Sequence, residues 1–363
     1  MKIDLRKFNS QTELTAQREL FEECFPEYIG TPIISENHYH WKFHSKKGEV
    51  QSAEYAAYDE NDIIGYYAAI PYHYRCNGKI MTSAMVCDVM TGVKARGKGI
   101  FTKLGIYSTN EFTNQGFDIT TGYPIRKDVI PGHIKAGWEI YFELPLYGRF
   151  IKFNSFLKKK KLDFLAPVIN ILFSFYTGML YLLSVFIYPP NRNLTIGTSC
   201  SDKIDSIQRI AEFYNKWETE TQISLIKDIN FLKWRLGAPE LLYHIITLRD
   251  QNNIVGVLIA REVEKEGVPC MGIIDLALLK DYHKYAYLLT NELIKIAKPL
   301  GTELILVMMG RKWFTKYKLS LNSFLQTPFK FYLIVKHLNP SVNSEMLKNE
   351  NNWHLMWIDS DNL

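Results

Sequence analysis

The sequence predicts an α/β fold of the α+β kind, made of two mixed-sheet domains in tandem joined by an apolar helical segment. Three observations predict it. Apolar strand-like runs cluster early in each half, and amphipathic runs follow to cover them. The order of these runs recurs once along the chain. Between the two copies lies a stretch, residues 164–190, without a charged side chain. At 363 residues there is room for two domains of ordinary size, and 47% apolar against 22% charged residues marks a globular chain.

In the first half, helices are predicted near 11–24 and 35–45 and strands near 52–58, 62–71 and 79–93. A helix follows near 100–115, with Asn110, Asn114 and Gly116 marking its end. FDITTGY then reads as a strand, residues 125–136 as a short helix, and WEIYFELPLY as a strand with Pro145 late in it. The second half repeats the series, with strands near 243–248, 254–262 and 270–279, a helix near 283–298, and LILVMM as the next strand.

The repeat shows in the residues themselves. SENHYHWKFH (35–44) resembles KDINFLKWRL (227–236), and DENDIIGYYAAI (59–70) resembles RDQNNIVGVLIA (249–260). Asp88 has a counterpart in Asp275, Asn110–Glu111 in Asn291–Glu292, Gly116 in Gly301, and Arg126–Lys127 in Arg311–Lys312. The kept order argues duplication. The division this suggests is a first domain over 1–150, a basic then apolar linker over 151–192, a second domain over 193–340 and a tail over 341–363.

Five cysteines without paired spacing, and no histidine spacing suited to a metal, predict reduced thiols and no metal site. The cysteine usage points to a cytoplasmic setting, and the opening MKIDLRKFNSQTEL has no apolar core of a signal peptide, so none is expected there. A net charge of +5 is small, and the bases form no extended stripe, which argues against nucleic acid as a partner. Much of the charge sits in Lys152 and Lys158–Lys161, just before the apolar stretch.

That stretch is long enough to cross a bilayer. A single crossing would put two repeated halves on opposite sides, so three readings stand: helices buried between the halves, a surface helix in the bilayer interface, or a re-entrant hairpin. The lysines favour the interface, at the inner face of the cell membrane. Pro167, Gly178 and Pro189–Pro190 favour bent or paired helices.

The chemistry-bearing signal is VKARGKGIFTKL (93–104), a glycine-and-base turn between an apolar run and an amphipathic one. Glycines admit φ > 0 and close backbone approach, and amides at a helix start suit a pyrophosphate. Strand, then Arg96-Gly97-Lys98-Gly99-Ile100-Phe101, then helix, resembles motif A of the GCN5-related N-acetyltransferases (GNAT), with Phe101 where that family has a small residue. MVCDVMTGV resembles the family's fourth strand, and GYPIRKDVIPGHIKAGW its motif B, ending in Gly137-Trp138. The resemblance covers about 1–150 well and about 200–340 as a worn copy, whose LKDYHKYAYLL (279–289) replaces the glycines with bulky side chains.

The resemblance implies an acyl-CoA-dependent N-acyltransferase with acetyl-CoA as co-substrate, held by Val93, Arg96, Gly97, Lys98, Gly99, Ile100 and Phe101. His133 stands where the family has its thiolate-protonating tyrosine, and Tyr123 is the alternative donor. Asp88, a charge inside MVCDVM, is the candidate base, with Asp359 and Asp361 of WHLMWIDSDNL as further options; Trp353 and Trp357 suggest that this tail docks. Tyr66, Tyr67, Tyr72, His73 and Tyr74 are candidates to stack on a sugar. The tandem pattern looks like GNAT-type proteins of bacterial surface polysaccharide synthesis, which implies a nucleotide- or lipid-linked amino sugar as acceptor. A coenzyme-binding sensor or scaffold, and a peptidyl-type transferase using aminoacyl-tRNA, remain alternatives; the intact glycine turn argues against the latter.

Overall fold

The protein is described as a computed structural model over residues 3–46, 51–124, 126–201 and 204–361; Ile125 of the expected helix and the last two residues of the tail lie outside them. The elements run β1 (Ile3–Lys7), α1 (Ser10–Cys24), α2 (Glu36–His44), β2 (Ala53–Asp59), β3 (Asp62–Cys76), β4 (Lys79–Thr91), α3 (Ile100–Asn114), β5 (Ile119–Gly122), α4 (Ile130–Lys135) and β6 (Glu139–Phe150). Then come α5 (Asn154–Lys159), α6 (Ala166–Ile187), β7 (Leu194–Cys200), α7 (Ile204–Trp217), β8 (Ile223–Leu225), α8 (Ile229–Leu236), β9 (His244–Asp250), β10 (Asn253–Lys265) and β11 (Val268–Leu278). The chain ends with α9 (Ala286–Ala297), β12 (Leu304–Met308), α10 (Arg311–Lys316), β13 (Leu325–His337), α11 (Ser344–Lys348) and β14 (Trp353–His354).

Local chemistry sets these boundaries. Asn9 caps α1 by accepting from the Gln11 amide, and Glu13 reaches back to the Asn9 amide, which together satisfy two donors at the helix start. Ser35 caps α2 through the His38 amide. The β3–β4 hairpin turns on Asn77 (φ 49°) and Gly78 (φ 80°), and its counterpart β10–β11 on Glu266 (φ 50°) and Gly267 (φ 72°). Two consecutive left-handed residues match the twist of the strands they join.

The chain forms two compact units, one of Met1–Glu143, Ala238–Glu240 and Tyr332–Glu350, the other of Leu144–Gly237, Leu241–Phe331 and Asn351–Leu363. The linear cuts read from the sequence at 150, 192 and 340 do not capture this, because each unit takes its sixth strand from a distant part of the chain. In the first unit β1, β2, β3 and β4 are antiparallel neighbours, β4 pairs β5 in parallel, and the end of β13 closes on β5 with Ile334 opposite Gly122. In the second, β7, β9, β10 and β11 are antiparallel, β11 pairs β12 in parallel, and the end of β6 closes on β12 with Phe150 opposite Leu304.

The core of the first unit lies between one sheet face, with Tyr55, Tyr67, Ala69, Ala84 and Val86, and Ile100, Leu104 and Phe112 of α3, with Trp138 and Ile334 beside them. Tyr66, Tyr67, Tyr72 and Tyr74 are buried, which corrects the expectation that this cluster offers faces to a sugar. The tail packs into the second unit: β14 pairs β8, and the Trp313 Nε1–H donates to the Trp353 carbonyl at 2.7 Å.

Residues 166–187 form one helix, not a bent pair or a hairpin. Pro167 sits in its first turn, where a missing N–H costs nothing, and Pro189–Pro190 stand beyond its end. Gly178 inside it costs about 1 kcal/mol against alanine, too little to break 22 residues. Nor is it buried: most of its apolar side chains are exposed.

Candidate active site in the first unit

β4 runs on to Thr91 but pairs with β5 only over Ser83–Met85. The cause is a bulge. Tyr66 faces Met90 and Ala68 faces Cys87, so Tyr67 stands against both Asp88 and Val89, and Asp88 takes φ 47°. An extra residue bends and twists a strand, so the end of β4 parts from β5. Tyr123 follows directly on the last residue of β5 and is buried, its hydroxyl 3.4 Å from that of Tyr74.

The glycine turn joins β4 to α3. Gly97 (φ 76°) and Gly99 (φ 75°) are both left-handed, and Gly99 is the N-cap of α3. A Cβ built on either would meet nothing within 4 Å, so the turn is open on its outer side. Ile100 points inward and its Cγ2 lies 3.1 Å from where Gly65 would carry a Cβ, so a glycine on β3 lets α3 start close to the sheet. Arg96, Lys98 and Lys103 are exposed around the turn, and the Arg96 Nε–H donates to the Thr91 carbonyl at 3.2 Å. Phe101 does not close the turn: its ring lies on Gly132 of α4, where a Cβ would come within 2.6 Å. Val93 differs from the rest, since its amide already donates to the Glu23 carboxylate at 3.2 Å.

The corresponding turn of the second unit is built against an anion. It is a 3-10 run, Lys280–Tyr285, and the Lys280 amide donates to the Glu220 carboxylate at 2.7 Å. A carboxylate and bulky side chains occupy the position where the first unit leaves open amides.

His133 lies in an aromatic cage, edge-on to Phe101 and Trp138 at 4.9 Å each, with Tyr67 at 6.3 Å. Burial pushes its pKa down to about 4, so at neutral pH it is an uncharged ring. Asp88 is ion-paired with Lys42 of α2 at 2.7 Å, and both side chains are about nine-tenths buried. Asp275 is held in the same way by Lys227 at 2.6 Å and by the Tyr214 hydroxyl at 2.5 Å. Asp359 belongs to the second unit; it is fully buried, accepts from the Met356 amide at 2.8 Å, and burial pushes its carboxyl up to about 7. Asp361, near the chain end, also falls in the second unit.

Sequence reasoning missed Glu54, on the sheet face opposite α3. Its carboxylate accepts from the Tyr39 and Tyr66 hydroxyls at 2.5 Å each and lies 3.4 Å from His44 Nε2. Burial raises its pKa. Glu54, Ala68 and Cys87 stand in register across β2, β3 and β4, so the row that starts at this carboxyl ends beside the Asp88 bulge. The available signal was a single acid inside the apolar strand AEYAAY.

Comparison with known proteins fits this geometry. Residues 5–141 match a family described as Acetyltransferase (GNAT) domain. No curated protein matches the chain. Among solved structures, the chain is similar to a GCN5-related N-acetyltransferase from Anabaena variabilis (14% identity, TM-score 0.63, 93% of this chain and 73% of that one). It is equally similar to a probable N-acyltransferase from Enterococcus faecalis (13% identity, TM-score 0.63, the same coverage). Saccharomyces cerevisiae N-myristoyltransferase with bound myristoyl-CoA shares the fold at 9% identity and TM-score 0.58, over 92% of this chain and 82% of that one. Residues 5–141, the stretch that holds the open turn, thus match the GNAT acetyltransferase domain, and the fold of these structures is shared along nearly the whole chain.

Proposed function

We propose that the first unit binds an acyl-coenzyme A at the Gly97–Phe101 turn and transfers its acyl group to a primary amine on a small-molecule acceptor. One observation carries this reading: two left-handed glycines with open space outside them, set at the start of α3 beside the parting of β4 and β5. The first amides of a helix lack intrahelical partners and carry the positive end of its dipole, which suits a pyrophosphate. Arg96, Lys98 and Lys103 add charge of the same sign. The second unit, with Glu220 on its turn, takes no coenzyme in this reading.

Where β4 runs on past its pairing with β5, the backbone amides at the bulge are the donors we assign to a carbonyl oxygen on which charge builds during acyl transfer. Tyr123, at the mouth of the parting, is the group we assign to protonate the thiolate leaving group. Glu54 is the group we assign to receive the amine's proton through water, since a carboxyl raised by burial is a better base than one neutralised by an ammonium. An amino sugar of a surface polysaccharide precursor, nucleotide- or lipid-linked, is the acceptor we propose, on the tandem pattern and the motifs of the sequence.

Calorimetry with coenzyme A and acetyl-CoA tests the site. Gly99→Trp fills the open side of the turn and imposes φ > 0 on a bulky residue, so affinity should fall at least tenfold with the fold retained. Affinity equal to wild type would remove the turn from the site. A panel of amino sugars and aminoacyl-tRNA as acceptor and donor then separates acyl transfer from the peptidyl reaction. Coenzyme binding with no transfer to any amine would favour a sensor.

A further inference from the structure

The helix α6 presents an unpartnered apolar face to solvent. Val168, Ile171, Phe175, Met179, Leu182 and Phe186 follow one another at spacings of three and four, and each is between 55% and 84% exposed. Residues so spaced share one helix face. A contiguous patch of this kind exceeds what soluble surfaces carry without a partner.

The other side of the helix is fixed to the second unit at both ends. Near its start, Asn170 accepts from the Phe153 amide at 2.9 Å and the Phe173 ring meets that of Phe153 edge-on at 4.9 Å. Near its end, Ser184 is buried, Tyr181 meets the Tyr287 ring at 5.9 Å, and the Tyr287 hydroxyl donates to the Tyr188 carbonyl at 2.8 Å. A helix about 33 Å long, anchored to one body at both ends, lies along that body and does not pass through a bilayer.

Charge selects the occupant. Lys158, Lys159, Lys160 and Lys161 stand exposed on α5 and just after it, with Lys152 upstream and Asp163 as the single acid between 152 and 190. Lys159 makes only a loose ion pair with Glu266, at 3.6 Å between exposed side chains. A second copy docked face to face would bring like charges together. An anionic surface would neutralise them.

We propose that α6 is a membrane-surface anchor: the helix lies in the plane of an anionic bilayer, its exposed face among the acyl chains and Lys158–Lys161 on the headgroup phosphates. The proposal is independent of the acyltransferase reading.

Vesicle flotation of the full chain tests it. Binding is expected to vesicles of phosphatidylglycerol and phosphatidylcholine, with much weaker binding to phosphatidylcholine alone and weakening as salt rises. Exchange of the lysines for glutamine should lower affinity about fivefold per residue at low ionic strength. Phe175→Glu with Leu182→Glu should lower it at least tenfold. Phe175→Trp, which preserves the apolar face, gives a reading without an introduced charge: its emission should move to the blue on vesicles and be quenched by brominated chains. A chain that stays free of anionic vesicles, or a Phe175→Trp variant whose indole is left unquenched, would overturn the proposal. So would a dimer that the glutamates dissociate in a chain that ignores vesicles, because a second copy would then be the occupant.

Discussion

His133 shows how a residue's surroundings decide its chemistry. Three aromatic rings and the bulk of the unit exclude water from it, and its pKa of about 4 lies well below the unfolded value near 6.5. The unfolded chain therefore binds the proton first as pH falls, and the stability this ring contributes is present above pH 6.5 and lost on the way down to 4. At pH 5 the loss should be about 2 kcal/mol. Urea midpoints at pH 7 and 5 check this, since His133→Phe should show a shallower acid loss than wild type. Turnover follows from the same argument. A ring already neutral at pH 7 has no imidazolium proton to give, so His133→Phe should change kcat by less than tenfold; a drop near a hundredfold would restore His133 as the donor in place of Tyr123. The spacing that picked out His133 was legible in the sequence. The cage was not, because Tyr67, Phe101 and Trp138 come from three separate elements.

At the scale of elements, the bulge of β4 and the turn before α3 act together. The sequence showed the turn because glycine is required where φ is positive, and it showed Asp88 because a charge stood in an apolar run. It did not show that Asp88 is the left-handed residue of the bulge, nor that Lys42 of α2 neutralises it, since both depend on the register of β3 against β4. The two carboxyls on this side of the sheet should thus respond differently to neutral substitution. Asp88→Asn keeps a side chain that tolerates positive φ but removes the carboxylate that neutralises the mostly buried Lys42 ammonium, a cost of about 3 kcal/mol. Glu54→Gln removes a buried carboxyl that is costly to ionise, so stability should hold while kcat falls about a hundredfold with acyl-CoA affinity unchanged. Urea unfolding and steady-state kinetics on the two variants check this. The reverse pattern would return the base to Asp88. The same limit applies to α6, where composition gave a span-length apolar run but not its unbroken course, because prolines at helix ends and in helix interiors look alike until the boundaries are known.

At the scale of the whole molecule, duplication was legible as ordered pairs of residues, and the structure shows it again in one strand order repeated in each unit, with left-handed hairpin turns at matching places. What no local pattern revealed is that the sixth strand of each unit is supplied from far along the chain, since hydrophobic alternation identifies a strand but not its partner. This has a direct consequence for a truncated protein. Residues 332–350 belong to the first unit: Ile334 and Val335 are fully buried, Ile334 stands opposite Gly122, and the Lys336 ammonium donates to Thr109 Oγ1 at 2.7 Å and to the Ala136 carbonyl at 2.9 Å. Those contacts tie α3, α4 and β5 together, the elements that frame the proposed coenzyme site. Burying the two apolar side chains alone contributes about 3–6 kcal/mol, a large share of the roughly 5–15 kcal/mol that holds a typical domain folded. A fragment of residues 1–150, the domain suggested by the linear reading, should therefore lack cooperative unfolding and bind coenzyme A at least tenfold more weakly than the full chain. Addition of a synthetic peptide of residues 332–350 should restore part of both. Circular dichroism melting and calorimetry decide it, and a fragment that melts sharply and binds as tightly as the full chain would show that the sixth strand is dispensable.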